Sequence, residues 1–150
     1  MNILALDCAT KTGWSIWQNG ILIESGVQDF SKKRGETNGI LFLRFRHWLK
    51  DITAHQPIQV ITYERAHFRG GAATEICVGL QTRAQEMAAE IKADCYPVAT
   101  LGLKKFATGR GNADKQDMIR VAWKILKRQP IDDNEADAVL IGQMASVELG

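Results

Sequence analysis

The chain is poor in several features that would otherwise point to a class. Three of its 150 residues are proline and three are cysteine. The thiols, Cys8, Cys77 and Cys95, are odd in number and lack C-x-x-C spacing. That argues against a disulfide framework or a thiolate zinc site and for reduced thiols in a cytosolic setting. No run approaches the roughly 18 apolar residues of a membrane span. The opening MNILALDCAT has neither a basic flank nor a small-residue cleavage site, so it reads as a buried strand rather than a secretory leader. Excess charge is also lacking: 19 Lys and Arg against 17 Asp and Glu leave a net +2, too little to identify a partner. What remains is a composition of 45% hydrophobic and 24% charged residues, which suits one globular domain over residues 1–150.

Along the chain, NILALD (2–7) is a short apolar run ending in an acid. The runs 13–18 and 21–28 are separated by Asn19-Gly20, the strongest short-range hairpin signal, so three antiparallel strands open the fold. Residues 29–36 read as a basic loop. Ile40, Leu41, Leu43, Phe45, Trp48, Leu49 and Ile52 recur at helical spacing and predict a helix over 37–54. A β-branched strand over 58–63 ends at Glu64. It is followed by a loop over 65–73, a helix over 74–92 and a brief strand over 95–98. The segment 100–115, dense in glycine and cations, precedes a helix over 114–127 in which Asp114 and Asp117 suit the first turn. Pro130 breaks the chain before a last helix over 133–147. The order β-β-β-α-β-α-β-α-α predicts an α/β domain with a mixed five-stranded sheet flanked by helices.

Two strands end in carboxylates, Asp7 and Glu64. In open α/β sheets functional groups gather where strands exit toward solvent. A third acidic group, DDNEAD over 132–137, opens the last helix, where Asp133 and Asp137 share a face four residues apart. Each has a plain alternative: a strand-ending acid bonded to the next turn, a solvated strand end, or a helix cap. Asp137 is harder to dismiss, because it lies inside the helix beside Ala138-Val139-Leu140-Ile141, where an unpaired acid is costly. Clustered carboxylates repel unless a cation neutralises them. Oxygen donors without His or Cys select Mg²⁺ or Mn²⁺. Two such ions ~3.5–4 Å apart suit in-line displacement at phosphorus. Asp7, Glu64, Asp133 and Asp137 are therefore the candidate metal ligands of a phosphodiester hydrolase.

Four segments in order resemble the RuvC family of Holliday junction resolvases, within the RNase H-like superfamily, and the compact size resembles its phage and prophage branch. They are ALDCATKTGWSI, TYERAHFRGGAATEICVGLQTRAQ, LKKFATGRGNADKQDMI and DDNEADAVLIG. The resemblance implies an RNase H-like fold, two Mg²⁺ or Mn²⁺ ions per site, and cleavage of four-way DNA junctions in the cytoplasm of a bacterial or phage-infected cell. Asp7, Glu64 and Asp137 match three of the family's carboxylates. Its fourth acid falls at Asn134 here, so that role goes to Asp133, with Asp132 and Glu135 as contenders. One ion, on Asp7 with Asp133 or Asp137, would activate water, and another, on Asp7 and Glu64, would stabilise the leaving 3′-oxygen. Lys115 matches the lysine near the scissile phosphate. Lys104 and Lys105 resemble backbone contacts, and Phe68 or His67 an aromatic wedge at the junction centre. Symmetric cleavage implies a homodimer, for which Ala84, Met87, Ala88 and Ile91 of the helix 74–92 are the expected interface.

The cations give a separate indication. Arg65, Arg69, Lys104, Lys105, Arg110 and Lys115 follow strands, on the sheet edge where the acids gather, and suit phosphate contact. Lys32, Lys33 and Arg34 read equally as a solvated run. His47 and His55 read as solvent-facing, Trp14, Trp17, Trp48 and Trp123 as core, and Cys8 as buried. The Gly109-x-Gly111 pair lacks the rest of a dinucleotide fingerprint. Other readings are an RNase H-like nuclease acting on flaps, forks or RNA–DNA hybrids, and a non-catalytic junction-binding protein. The chain is too short for the two lobes of a sugar-kinase-like or actin-like ATPase.

Overall fold

A computed structural model describes residues 1–67 and 70–150. The wedge candidate Phe68 and the cation Arg69 lie outside the described residues. Five strands, β1 (Asn2–Asp7), β2 (Lys11–Gln18), β3 (Ile21–Asp29), β4 (Val60–Glu64) and β5 (Asp94–Val98), form one sheet in the order β3-β2-β1-β4-β5. β1, β2 and β3 pair antiparallel, whereas β4 pairs parallel to both β1 and β5. This is the mixed sheet that the sequence predicts. Asn19 and Gly20 turn the β2–β3 hairpin with φ of 51° and 80°, as a type I′ turn requires.

β1 is central, and Ile3 to Leu6 are buried on both of its faces. One face carries α1 (Asn38–Ala54) and α2 (Gly71–Glu90), which cover Leu4, Leu6, Ile16 and Ile61 with Leu41, Phe45, Leu49, Leu80 and Met87. The other face carries α5 (Asp133–Leu149), on which α3 (Thr100–Thr108) and α4 (Lys115–Leu126) pack in turn. Because α5 lies between the sheet and those helices, it is apolar nearly all round from Ala136 to Ala145.

Close approach is built in by glycine. A methyl group on Gly13 would sit 1.9 Å from the Asn134 carbonyl oxygen, and one on Gly142 would sit 2.2 Å from Trp17 Nε1. These two contacts let α5 lie directly on β2, with its first turn beside the end of β1.

The structure corrects the sequence reading in four places. The stretch expected to be irregular contains α3, whose Leu103 is buried and whose end is capped by Gly109 at φ 79°. Lys104 and Lys105 therefore stand on a helix rather than in a loop. α2 starts at Gly71 instead of 74. Ala84, Met87 and Ala88 are buried in the chain's own core, because they face β4 and α1, and so cannot meet a partner. Trp123 is 47% exposed, since α4 buries Met118 and Ala122 and turns the Trp123 position outward. Among the described residues no helix is long and apolar enough to cross a membrane.

Candidate active site

The site grows out of the parallel pairing of β1 and β4. Leu6 pairs with Tyr63, so the next residues, Asp7 and Glu64, end adjacent strands at the same edge. Asp7 also pairs with Gly13, and Gly13 is where the first turn of α5 touches the sheet. That contact brings Asp133 and Asp137 to the edge where β1 and β4 end. Glu64, Asp133 and Asp137 line one pocket with His67, Thr100, Lys104 and Lys115. Asp7 ends its strand beside this pocket and does not form part of its wall.

Electrostatics in the pocket are dominated by Asp137. Burial pushes its carboxyl up to about 7, and the neighbouring Glu64 and Asp133 carboxylates push in the same direction. Lys115 and Lys104 pull it back but do not compensate. Lys115 Nζ lies 3.3 Å from Asp133 Oδ2 and its side chain is 82% exposed. Asp114 caps α4 through a reciprocal capping box with Asp117, which sets Lys115 at the first helical position.

The other acids of the last helix do different work. Asp132 is the cap of α5 and accepts from the Glu135 amide. Glu135 is fully buried on the side of β3, where it accepts from Arg128, the Ile131 amide and the Ser25 hydroxyl. Burial pushes its carboxyl up, but those three donors together hold it below the ordinary glutamate value. The stability this network adds is present above the unfolded-state pKa and is lost as pH falls through the folded one. Glu135→Gln should therefore lower stability at pH 7 by about 1–2 kcal/mol and flatten the acid limb of a urea-denaturation series from pH 7 to pH 3. An acid limb identical to the parent's would remove Glu135 from this role.

Two residues hold Glu64 in place: Thr100, which the sequence reading did not single out, and Gln81, which lies within the segment TYERAHFRGGAATEICVGLQTRAQ. Thr100 Oγ1 donates to Glu64 Oε1 at 2.5 Å. Gln81, buried on α2, donates to the Glu64 carbonyl at 2.8 Å and accepts from the Ala66 amide at 3.3 Å. The parallel register was the available signal for Thr100: Glu64 pairs with Val98, so a polar residue two positions beyond faces the acid. Thr100 is thus a positioning residue. Thr100→Val should weaken Mn²⁺ binding in a calorimetric titration by roughly ten-fold, the scale of a lost outer-shell hydrogen bond, and Thr100→Ser should restore it. Equal affinity in the valine variant would contradict the role.

The cations are spread unevenly. Lys104 lines the pocket, and Lys105, one position on, is exposed on α3. Arg65 is exposed, and its amide bonds to the Val98 carbonyl. Arg110 is 2.8 Å from Asp117, so part of its charge is already spoken for. His47 and His55 are exposed, Cys8 is buried, and all three cysteines are free thiols.

Among the described residues no three His, Cys, Asp or Glu side chains close into a ready-made cage. The donor chemistry nevertheless fits a hard divalent cation. The pocket offers the carboxylate oxygens of Glu64, Asp133 and Asp137 with His67 in its wall, and burial together with the neighbouring carboxylates pushes Asp137 up to about 7.

This sheet order, with helices on both faces, defines the RNase H-like fold in the form seen in RuvC-type resolvases. A Thermus thermophilus RuvC structure superposes with a TM-score of 0.82 at 17% identity, over 99% of this chain and 95% of that one. T. thermophilus RuvC in complex with a Holliday junction substrate gives 0.80 at 17% identity, over 97% of each. The yeast mitochondrial Holliday junction resolvase Ydc2 gives 0.67 at 14% identity, over 98% of this chain and 80% of that one. No protein-family model matches the sequence, and no curated protein sequence matches it significantly.

Proposed function

We propose that this chain is a divalent-metal-dependent endonuclease that hydrolyses phosphodiesters in branched DNA, four-way junctions foremost. The observation that carries the reading is the gathering of Glu64, Asp133 and Asp137 in one pocket at the edge where β1 and β4 end, where burial and then the Glu64 and Asp133 charges push the Asp137 carboxyl up to about 7. A folded chain retains so unfavourable a cluster where a cation relieves it. The likeness of the whole fold to a RuvC bound to a Holliday junction supports DNA as the substrate.

Asp7, Glu64, Asp133 and Asp137 would hold two Mg²⁺ or Mn²⁺ ions, which supply water activation and stabilisation of the leaving 3′-oxygen when bound. Thr100 and Gln81 fix Glu64 and the backbone after it, so that donor is oriented before substrate arrives. Lys115, exposed at the rim and paired with Asp133, offers its ammonium to the scissile phosphate. Lys104, Lys105 and Arg65 would hold the flanking backbone, with a smaller share from Arg110 because of its pairing with Asp117. His67 lies in the pocket wall and would meet the junction centre, a role that the sequence also offers to Phe68, with Arg69 next to it.

Cutting both strands of a symmetric junction needs a second copy of the chain. With Ala84, Met87 and Ala88 taken by the core, the partner would meet the outer face of α1 and α2, where Leu43 and Val78 are exposed. The setting that fits this activity is the cytoplasm of a bacterial or phage-infected cell. The discriminating experiment offers one preparation labelled junctions, forks, flaps and RNA–DNA hybrids in Mg²⁺ and in EDTA. Paired nicks in the junction, in Mg²⁺ alone, are expected. Preferential cutting of flaps or hybrids would shift the substrate, and binding without turnover would leave a junction-binding protein.

A further inference from the structure

The outer face of α4 is not used by the site described above, yet it carries an unusual surface. From Lys115 to Arg128 there are five cations and one acid, a local charge of +4 against +2 for the whole chain. The segment thus carries more than all of the chain's excess positive charge. Helical geometry sorts it further. Gln116, Arg120 and Trp123 recur at i, i+4 and i+7, a narrow stripe with Lys124 flanking it and Lys127 following as the C-cap at the end of the helix. Met118, Ala122 and Ile125 take the opposite side and pack on α5.

The stripe is open to solvent. The Arg120 side chain is 69% exposed, Trp123 is 47% exposed, and Lys124 and Lys127 are exposed. The acid of the helix, Asp117, is shared between Arg110 and Arg120, so it cannot neutralise both. Arg128 is turned away to the buried Glu135 and stands outside the stripe. The indole, left half in water near Arg120 and Lys124, stands outside the core clusters. It matches what a nucleic-acid strand presents: phosphates for the cations and a base or sugar face for the ring.

We propose that this face of α4 is a nucleic-acid track that carries one strand away from the scissile position, with Arg120 and Lys127 on its phosphates and Trp123 stacked on a base or sugar. Lys115 is the hinge of the idea, because it lines the pocket and also opens the helix. From Gln116 to Lys127 the stripe is ~16 Å long, roughly five nucleotides of strand. Electrostatic contact along that length would set affinity and register without touching the chemistry.

The proposal rests on the nucleic-acid reading of the site, and the test separates the two. Binding of a long-armed, fluorescein-labelled four-way junction is followed by anisotropy in EDTA, from 50 to 200 mM NaCl, so that no cleavage is needed. The double variant Arg120→Ala/Lys127→Ala should lose about two from the slope of log affinity against log salt, one for each phosphate contact. Trp123→Ala should weaken binding roughly ten-fold with an unchanged slope, and Trp123→Phe should recover most of the loss. A parent chain that binds no branched DNA at all overturns the functional reading itself. A parent that binds, with the double variant showing the same affinity and slope, overturns the track alone.

Discussion

Asp137→Asn should abolish cleavage and at the same time make the metal-free protein more stable. The first effect follows from the proposed role of Asp137 as a metal donor, whose removal is expected to lower the cleavage rate about a thousand-fold or more. The second follows from the sign of the pKa shift. The Asp137 carboxyl rises from its ordinary value of 3.8 to about 7 on folding, through burial first and the Glu64 and Asp133 charges next. A raised folded-state value means that ionisation favours the unfolded chain. The stability is intact below about pH 4 and is lost as pH climbs through about 7. Melting in EDTA should therefore show the parent losing stability between pH 5 and pH 8, with a smaller loss in the Asn variant. At pH 8 the variant should be the more stable by about 1–2 kcal/mol. Added Mg²⁺ should raise the melting temperature of the parent well above that seen in EDTA and that of the variant little. A variant that melts below the parent at pH 8 in EDTA would mean that Asp137 is satisfied within the fold rather than waiting for a cation.

Gly13→Ala should be among the most damaging single changes outside the carboxylates. Its methyl group would lie 1.9 Å from the Asn134 carbonyl oxygen and 2.8 Å from the Glu135 amide, both backbone atoms at the start of α5. Neither can swing aside as a side-chain tip would, so the first turn of α5 must lift from β2. We expect a loss of about 3 kcal/mol in urea unfolding. The same displacement moves Asp133 and Asp137 relative to Asp7 and Glu64, and ~1 Å of misplacement lowers a rate about a hundred-fold. Assays below the lowered melting temperature separate the two effects. Gly102→Ala is the matched control, because its methyl group meets only Met144 Cε at an ordinary 3.5 Å inside α3. There the same substitution should stabilise by about 0.5–1 kcal/mol. If both alanines behave alike, close packing at Gly13 is not what seats the site.

Why some of this could be read from sequence and some could not has a physical basis. The sheet was legible because its signals are local: Asn19-Gly20 specifies a turn, and NILAL and IQVITY are mostly apolar runs that form central strands. The strand-end acids were legible for the same reason. α3 was hidden because its cations and Gly102 look like a loop, whereas it is held by a tertiary contact, Leu103 against α5. α2 misled in the opposite sense. Small apolar residues on a helix look the same whether they face the chain's own core or a partner, and only the packing of Ala84, Met87 and Ala88 separates the two. Trp123 misled because size and apolarity argue for burial until the phase of its helix is known. In the site, Thr100 acts through strand register and no motif marks it, whereas Gln81 lies within one of the four quoted segments and only helix packing shows that it holds the Glu64 carbonyl. Asp133 and Glu135 are two residues apart, and the helix sends one to the pocket and the other under Arg128.

Whether the acids at the ends of β1 and β4 cut DNA decides what this chain does. The most direct measurement compares the parent with Asp7→Asn on a labelled four-way junction, with cleavage followed in Mg²⁺ and binding in EDTA. The parent should nick paired strands only when Mg²⁺ is present, and the Asn variant should bind the junction with parental affinity while producing no nicks. Mg²⁺-dependent nicking retained in the purified Asn variant would contradict the central claim.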